Sequence, residues 1–88
     1  MLTLNFIKMK KEIKVLGPGC AKCKQLEKVV RIVVEENAID AEITKIEDIV
    51  EIMNYGIMTT PALIINGNIV LKGYVPSQEE VLTKLNES

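Results

Sequence analysis

The apolar pattern of this 88-residue chain changes its period at the loop Gly17-Pro18-Gly19. Before the loop, residues 12–16 alternate between polar and apolar side chains, which is the period of a β-strand. After the loop, apolar side chains recur at the spacing of one helical face, at Leu26, Val29, Val30 and Val33. A helix is therefore predicted from Ala21 to a stop at Asn37. A strand that leads into a long helix is typical of a βαβ unit, whose strands pair in parallel through a right-handed crossover.

The next segment, residues 41–46, predicts the second strand of that unit. Residues 47–54 then predict a second helix, because acidic side chains suit its positive N-terminus and Gly56 suits its end. Its apolar positions at helical spacing are Ile46, Ile49, Val50 and Met53. We expect Met53 and Met58 to be core residues rather than thioether ligands of a metal.

The last part of the chain predicts a hairpin and a helix. Asn66-Gly67 separates two apolar runs, residues 62–65 and 68–71, and this is a strong hairpin signal. Ser77 followed three residues later by Glu80 has the spacing of a capping box. The predicted order is β-α-β-α-β-β-α, an α/β chain with one mixed four-stranded sheet flanked by helices.

Two cysteines, Cys20 and Cys23, lie where the Gly-Pro-Gly loop meets the first predicted helix. Three residues are about one helical turn, so the two sulfurs share a face and lie within bonding reach. Cys20 also falls at the positive end of the helix dipole, near unpaired backbone N–H groups, and Lys22 and Lys24 add positive charge. Such surroundings lower a cysteine pKa from about 8.5 to roughly 3.5–7.5. We expect Cys20 to be the nucleophile and Cys23 the more buried, resolving thiol.

The overall composition argues against several classes of protein. A net charge of −1 and scattered aromatic residues do not match the basic footprint of a nucleic-acid-binding protein. No apolar run approaches the roughly 20 residues that span a bilayer, so we expect neither a nucleic-acid nor a membrane partner. The chain has no histidine, which removes His-based acid–base chemistry. Two cysteines without an export signal indicate a reducing, cytoplasmic compartment, where a C-x-x-C is more often catalytic or metal-binding than structural.

The C-x-x-C pair by itself leaves redox chemistry, half of a zinc site and a metal-relay loop open. Copper chaperone domains also place such a pair after a first strand, on a β-α-β-β-α-β fold, and two thiolates suit Cu(I). In this chain a predicted helix separates the second and third strands, and another closes the chain. Pro18 also stands where those domains usually have Met. A Cu(I) or Zn binding module is therefore the alternative to a redox function.

Residues 12–87 resemble the small redox-active disulfide proteins, which are glutaredoxin-like thioredoxins of the thioredoxin superfamily. The resemblance rests on the segment Gly17-Pro18-Gly19-Cys20-Ala21-Lys22-Cys23-Lys24-Gln25-Leu26 and on Thr60-Pro61 ahead of a hairpin and a closing helix. It implies a thioredoxin-like fold and a thiol-disulfide oxidoreductase in which Cys20 attacks and Cys23 resolves. It also implies a cis bond before Pro61, and backbone groups of Thr60 that pair with an extended substrate. The implied substrate-binding residues are Gly19, Thr60, Pro61, Gly73 and Tyr74.

The same resemblance implies no cofactor beyond the Cys20–Cys23 disulfide, and disulfide-containing proteins as substrates. Two departures from the wider superfamily bear on the mechanism. Lys14 stands where thioredoxins have a buried acid, so no carboxylate is available at that position for a proton relay. Residues 72–76 lack the Gly-Gly pair and acidic residue with which glutaredoxins hold glutathione. A thioredoxin-reductase-like electron donor is therefore expected rather than glutathione.

The start of the chain is interpreted separately from the rest. Residues 1–11 are expected to be an N-terminal extension, either dispensable or adding an edge strand, and Met9 is an alternative start. Residues 12–88 are expected to form the thioredoxin-like domain.

Overall fold

The computed structural model describes residues 10–87. Its strands and helices follow the predicted order, in the sequence β1 (Lys11–Leu16), α1 (Ala21–Glu36), β2 (Ala41–Ile46), α2 (Ile49–Asn54), β3 (Ala62–Ile65), β4 (Asn68–Lys72) and α3 (Gln78–Glu87). The expected extension falls almost entirely on residues 1–9, which lie outside the described residues. The first strand begins at Lys11, one residue before the expected start of the domain.

The four strands form one mixed sheet in the order β2-β1-β3-β4. The βαβ prediction is confirmed, because β1 pairs with β2 in parallel, whereas β3 is antiparallel to both β1 and β4. The β3–β4 connection has positive φ at both Asn66 and Gly67, which is the backbone of a type I′ hairpin turn. The Asn66 side chain also accepts a hydrogen bond from the backbone N–H of Glu12 at 2.9 Å, which ties the hairpin to the start of β1.

The end of β1 determines which loops meet at one edge of the sheet. Leu16, its last residue, pairs with Ile46 at the end of β2 and with Ala62 at the start of β3. The loop after β1, the loop after β2 and the loop before β3 therefore converge there. This edge carries both cysteines and the Thr60-Pro61 segment.

Apolar side chains cover the sheet on both faces, because alternate residues of each strand point to opposite sides. One core cluster joins the sheet to α1 and α3 and contains Ile13, Val15, Leu26, Val30, Val33, Leu63, Ile65, Leu71, Val81 and Leu85. The other lies against α2 and contains Leu16, Ile46, Ile52, Ile57, Ala62 and Ile64. The predicted helical face of α1 is thus confirmed, and α2 packs on the opposite side of the sheet.

The helix ends follow the predicted signals with one shift. Asn37 ends α1, with its side-chain amide donating to the Val33 carbonyl at 2.9 Å. The second helix begins at Ile49 rather than 47, because the Asp48 side chain accepts from the Val50 N–H and acts as its N-cap. Ser77 caps α3 by accepting from the Glu80 N–H at 3.1 Å. Within residues 10–87, no helix is long and apolar enough to cross a membrane.

The prediction that Met53 and Met58 are core residues is wrong. Met53 is 56% exposed and Met58 is 87% exposed, and Ile49 and Val50 are exposed as well. The residue of α2 that enters the core is Ile52. The predicted apolar face of α2 includes Ile46, which belongs to β2, and it therefore points to the wrong side of the helix. With only six residues, α2 buries a single position against the sheet.

Candidate active site

Cys20 is the N-cap residue of α1. Its carbonyl accepts the first helical hydrogen bond, from the Lys24 N–H at 3.0 Å, while its own backbone is extended. Gly19, directly before it, has a φ of +91°, a conformation that non-glycine residues rarely adopt. The sharp turn at Gly19 therefore lets the chain leave β1 and present Cys20, an exposed residue, at the start of the helix.

Cys23 lies one turn further along α1 and is only 5% exposed. It fits under the loop because Gly17 has no side chain. A Cβ atom on Gly17 would lie 2.2 Å from the Cys23 Sγ, far inside van der Waals contact. Gly17 is itself held in place, since its N–H donates to the Ile46 carbonyl at 2.9 Å. The loop thus provides a space that only glycine leaves open for the second sulfur.

The two sulfur atoms lie 2.6 Å apart, with both cysteines as free thiols. Formation of a covalent bond at about 2.05 Å needs only a small movement of either side chain. The sequence prediction that the two sulfurs approach bonding distance is confirmed.

The two thiols have opposite acid–base character. The Cys23 thiol, followed by the nearby backbone N–H groups of Cys23 and Lys22, lowers the pKa of Cys20, because these groups favour its thiolate. Burial raises the pKa of Cys23, and the interaction with Cys20 raises it further. Of the two thiols, Cys20 therefore ionises at the lower pH, and Cys23 keeps its proton to higher pH.

Pro61 lies at the same edge of the sheet, one residue before β3. The Thr60-Pro61 peptide bond is cis, as the family resemblance implies, and Pro61 is buried. The Pro61 carbonyl accepts a hydrogen bond from the Gly73 N–H at 2.7 Å. Gly73 also has a positive φ of +90°, and a Cβ there would lie 3.1 Å from the Thr59 Cγ2. Pro61 and Gly73 are thus joined by a backbone hydrogen bond at this edge of the sheet.

Tyr74 is positioned differently from the other predicted groove residues. Its hydroxyl donates a hydrogen bond to the Glu80 carboxylate on α3, and this carboxylate raises the pKa of Tyr74. The ring is about half exposed. The Glu80 side chain, which the capping-box spacing assigned to the start of the helix, instead binds Tyr74.

A small cavity beside Cys23 contains residues to which the sequence assigned no role. It is lined by Val15, Gly17, Gly19, Cys23, Lys24, Glu27, Lys45 and Glu47. Lys45 links the two carboxylates of this cavity, because its Nζ lies 3.3 Å from the Glu27 Oε1 and 3.3 Å from the Glu47 Oε2. The sequence signal that points to Glu27 is its position four residues after Cys23, on the same helical face.

The described residues, 10–87, contain no group of three or more His, Cys, Asp or Glu side chains placed to hold a metal ion. The element order also differs from the β-α-β-β-α-β order of copper chaperone domains, since α2 stands between β2 and β3 and α3 closes the chain.

An exposed cysteine at a helix start, a buried partner one turn later and a cis-proline at the same sheet edge define the class of small α/β redox proteins with a C-x-x-C dithiol. The profile of the thioredoxin-domain family matches residues 11–86. The chain therefore belongs to the thioredoxin family, and it is a thiol-disulfide oxidoreductase.

Curated relatives agree with this assignment. The chain is 40% identical over 70 residues to a thioredoxin of Methanothermobacter thermautotrophicus, and the alignment covers 80% of this chain and 91% of that protein. It is 41% identical over 73 residues to a thioredoxin of Methanocaldococcus jannaschii, which covers 83% of this chain and 84% of the relative.

Solved structures support the fold. The chain is similar to thioredoxin-2 of the malaria parasite, described as a component of its protein secretion machinery, with a TM-score of 0.66 over 96% of this chain and 90% of that one at 14% identity. It is also similar to the germline-specific thioredoxin Deadhead of Drosophila melanogaster, with a TM-score of 0.63 over 89% and 80% of the two chains, again at 14% identity. At this identity the likeness concerns the thioredoxin fold alone.

Proposed function

We propose that the protein reduces disulfides in two steps. The Cys20 thiolate attacks one sulfur of a substrate disulfide, forms a mixed disulfide and releases the other substrate sulfur as a thiolate. Cys23 then attacks the Cys20 sulfur, releases the second substrate sulfur and leaves a Cys20–Cys23 disulfide. The substrate gains two electrons, and the protein dithiol loses two. The observation that carries this assignment of roles is the asymmetry of the pair, with an exposed low-pKa Cys20 and a buried high-pKa Cys23 at 2.6 Å.

The substrate is a protein with an accessible disulfide, bound in an extended conformation. Thr60 offers its backbone beside Pro61, so the segment around the substrate cysteine pairs with it as an added strand. Gly19 keeps the approach to Cys20 open, and Gly73 and Tyr74 line the far side of the groove. This proposal is supported by the hydrogen bond that joins Gly73 to Pro61 at 2.7 Å.

An exposed apolar surface extends this groove. Ile49, Ile52, Met53, Ile57, Met58 and Thr60 line one depression in the surface of the protein. Met58 and Met53 are unbranched and adaptable, and such side chains pack against many different partners. We propose that apolar residues next to the substrate disulfide bind there, which adds affinity for proteins over small disulfides.

The cycle closes when a thioredoxin-reductase-like donor reduces the Cys20–Cys23 disulfide. Glutathione is not proposed as the donor, because residues 72–76 lack its binding signature. The disulfide itself is the redox group, so no additional cofactor is proposed. A reducing, cytoplasmic location follows from the same chemistry, since the dithiol must be regenerated there.

Turnover of insulin in the presence of dithiothreitol tests this function. The wild-type protein is expected to accelerate insulin reduction, and Cys20→Ser is expected to lower the rate to that of dithiothreitol alone. Cys23→Ser retains the nucleophile but cannot resolve the mixed disulfide, so it stalls after one attack. Absence of acceleration with dithiothreitol or a thioredoxin reductase, together with tight Cu(I) binding by both cysteines, would instead establish a metal-binding module.

A further inference from the structure

The second step of the proposed mechanism requires Cys23 to lose a proton inside the protein. The thiolate is the nucleophile in disulfide exchange, and Cys23 is buried with a raised pKa. An acceptor for this proton must therefore lie within reach. Lys14 does not serve this role, because it is a cation and lies on the other face of the sheet, with its Nζ 5.6 Å from the Tyr55 ring centre.

The cavity beside Cys23 places two carboxylates near that thiol. Glu27 follows Cys23 by one helical turn on α1, and Glu47 follows the end of β2, which pairs with the end of β1. The Glu47 Oε2 lies 3.8 Å from the position that a Cβ would take on Gly19, the residue before Cys20. The cavity has room for about one water molecule. A water molecule in this cavity would lie among Cys23, Glu27 and Glu47, which all line it.

A chain of ion pairs distinguishes the two carboxylates. The Arg31 Nε lies 2.9 Å from the Glu27 Oε2, and Lys45 lies 3.3 Å from the other Glu27 oxygen. Arg31, followed by Lys45, lowers the pKa of Glu27 and keeps this carboxylate charged, so it is a poor proton acceptor. Lys45 in turn reaches Glu47 at 3.3 Å. Glu27 and Lys45 thus position Glu47, whose side chain is half exposed to solvent.

We propose that Glu47 accepts the proton of Cys23 through one water molecule during resolution of the mixed disulfide, with Lys45 and Glu27 as positioning residues. This inference rests on the proposed function. The Cys23 Sγ–H bond breaks, the water takes that proton and passes another to the Glu47 carboxylate. The Cys23 sulfur then bonds to the Cys20 sulfur, and the bond between Cys20 and the substrate breaks. The substrate leaves as a thiolate, and Glu47 returns its proton to solvent.

The other titratable groups around this path are Cys20, whose sulfur lies 2.6 Å from that of Cys23, Lys24 from α1 and Lys45 from β2. An ammonium group has no lone pair that could accept a proton, so neither Lys24 nor Lys45 competes with Glu47 as the acceptor. The carboxylates line this cavity together with Cys23 on the α1 face of the sheet, the face opposite Lys14.

A single-turnover reaction with dithionitrobenzoate tests the proposal, because each step releases one coloured thionitrobenzoate. The first release reports attack by Cys20, and the second reports resolution by Cys23. Glu47→Gln is expected to lower the ratio of second-step to first-step rate about a hundredfold at pH 7, the lower end of the usual contribution of an acid–base group. The deficit is expected to shrink as the pH rises toward the raised pKa of Cys23, where this thiol ionises without help. Added formate or imidazole is expected to restore part of the lost rate.

Glu42→Gln is the matched control, since it also removes one carboxylate charge, from a residue of β2 that lines a different depression in the surface. It is expected to leave both phases unchanged. Lys45→Met is expected to reduce the second step less than Glu47→Gln does. The proposal is overturned if Glu47→Gln resolves at the wild-type rate from pH 6 to 8, or if its deficit is independent of pH and of added base, as a purely structural role would give. If the wild type itself shows no second release, the proposed function fails instead.

Discussion

The Cys23 side chain fills the space that a side chain at Gly17 would need. A Cβ on Gly17 would lie 2.2 Å from the Cys23 Sγ and 2.9 Å from the Cys23 Cβ. The resolving thiol is therefore held in place by the loop that also brings Cys20 to the start of α1. The geometry of the redox pair depends on a residue that takes no part in the chemistry.

Gly17→Ala is expected to displace Cys23 and to lower the free energy of unfolding by about 1–3 kcal/mol, the usual cost of overpacking a buried position. Denaturant unfolding of the reduced protein measures this loss. In a Cys23→Ala background the 2.2 Å contact with the sulfur is gone and only the contact with the Cβ at 2.9 Å remains, so the same substitution is expected to cost less. Equal costs in the two backgrounds would show that Gly17 and Cys23 are not coupled.

The lowered pKa of Cys20 predicts a particular pH dependence of alkylation. Thiolate reacts with iodoacetamide, so the Cys20 rate is expected to stay high below the ordinary thiol pKa of about 8.5. The rate falls only when the pH drops through the lowered pKa. Cys23→Ala removes the first cause of the lowering and is expected to move the midpoint upward. An unchanged midpoint in this variant would assign the effect to the helix N-terminus alone.

Gly73 and Gly67 both have positive φ, at +90° and +86°, but only Gly73 adjoins the site. Gly67→Ala and Gly73→Ala are each expected to lose about 1–2 kcal/mol of stability from backbone strain. Only Gly73→Ala is expected to reduce insulin turnover as well, since its Cβ presses on Thr59 and disturbs the bond to Pro61. Thr59→Ser removes the methyl group concerned and is expected to recover part of the activity. Similar activity losses at Gly67 would contradict this account of the groove.

The apolar surface near Thr60 predicts discrimination between large and small substrates. Met58→Ser is expected to lower kcat/KM for insulin about threefold to tenfold, because a few apolar contacts are worth roughly 1 kcal/mol. The rate with dithionitrobenzoate is expected to remain unchanged. Ile69→Ser, at an exposed apolar position on β4, serves as the control. Equal losses of rate with insulin and dithionitrobenzoate in Met58→Ser would show that Met58 does not contribute to binding of protein substrates.

Local sequence patterns predicted most of the fold, because the periods of β1, α1 and the hairpin are strong and their breaks coincide with Gly17, Asn37 and Asn66-Gly67. The exposure of Met58 and the phase of α2 could not be read from spacing, since a six-residue helix has too few positions to define a face. The placement of Glu47 and Glu27 in one cavity beside Cys23 could not be predicted for a different reason. Both carboxylates reach Lys45 only because β2 lies beside β1 and α1 packs on both strands, which is a property of the tertiary fold.

Trapping the mixed disulfide tests the central claim most directly. Cys23→Ser and Cys20→Ser are each mixed with a substrate disulfide, and the adducts are mapped by non-reducing mass spectrometry. The account predicts a stable adduct on Cys20 in the first variant and a far slower, minor adduct in the second, because Cys23 is buried and protonated. Rapid adduct formation at Cys23 with none at Cys20 would contradict it.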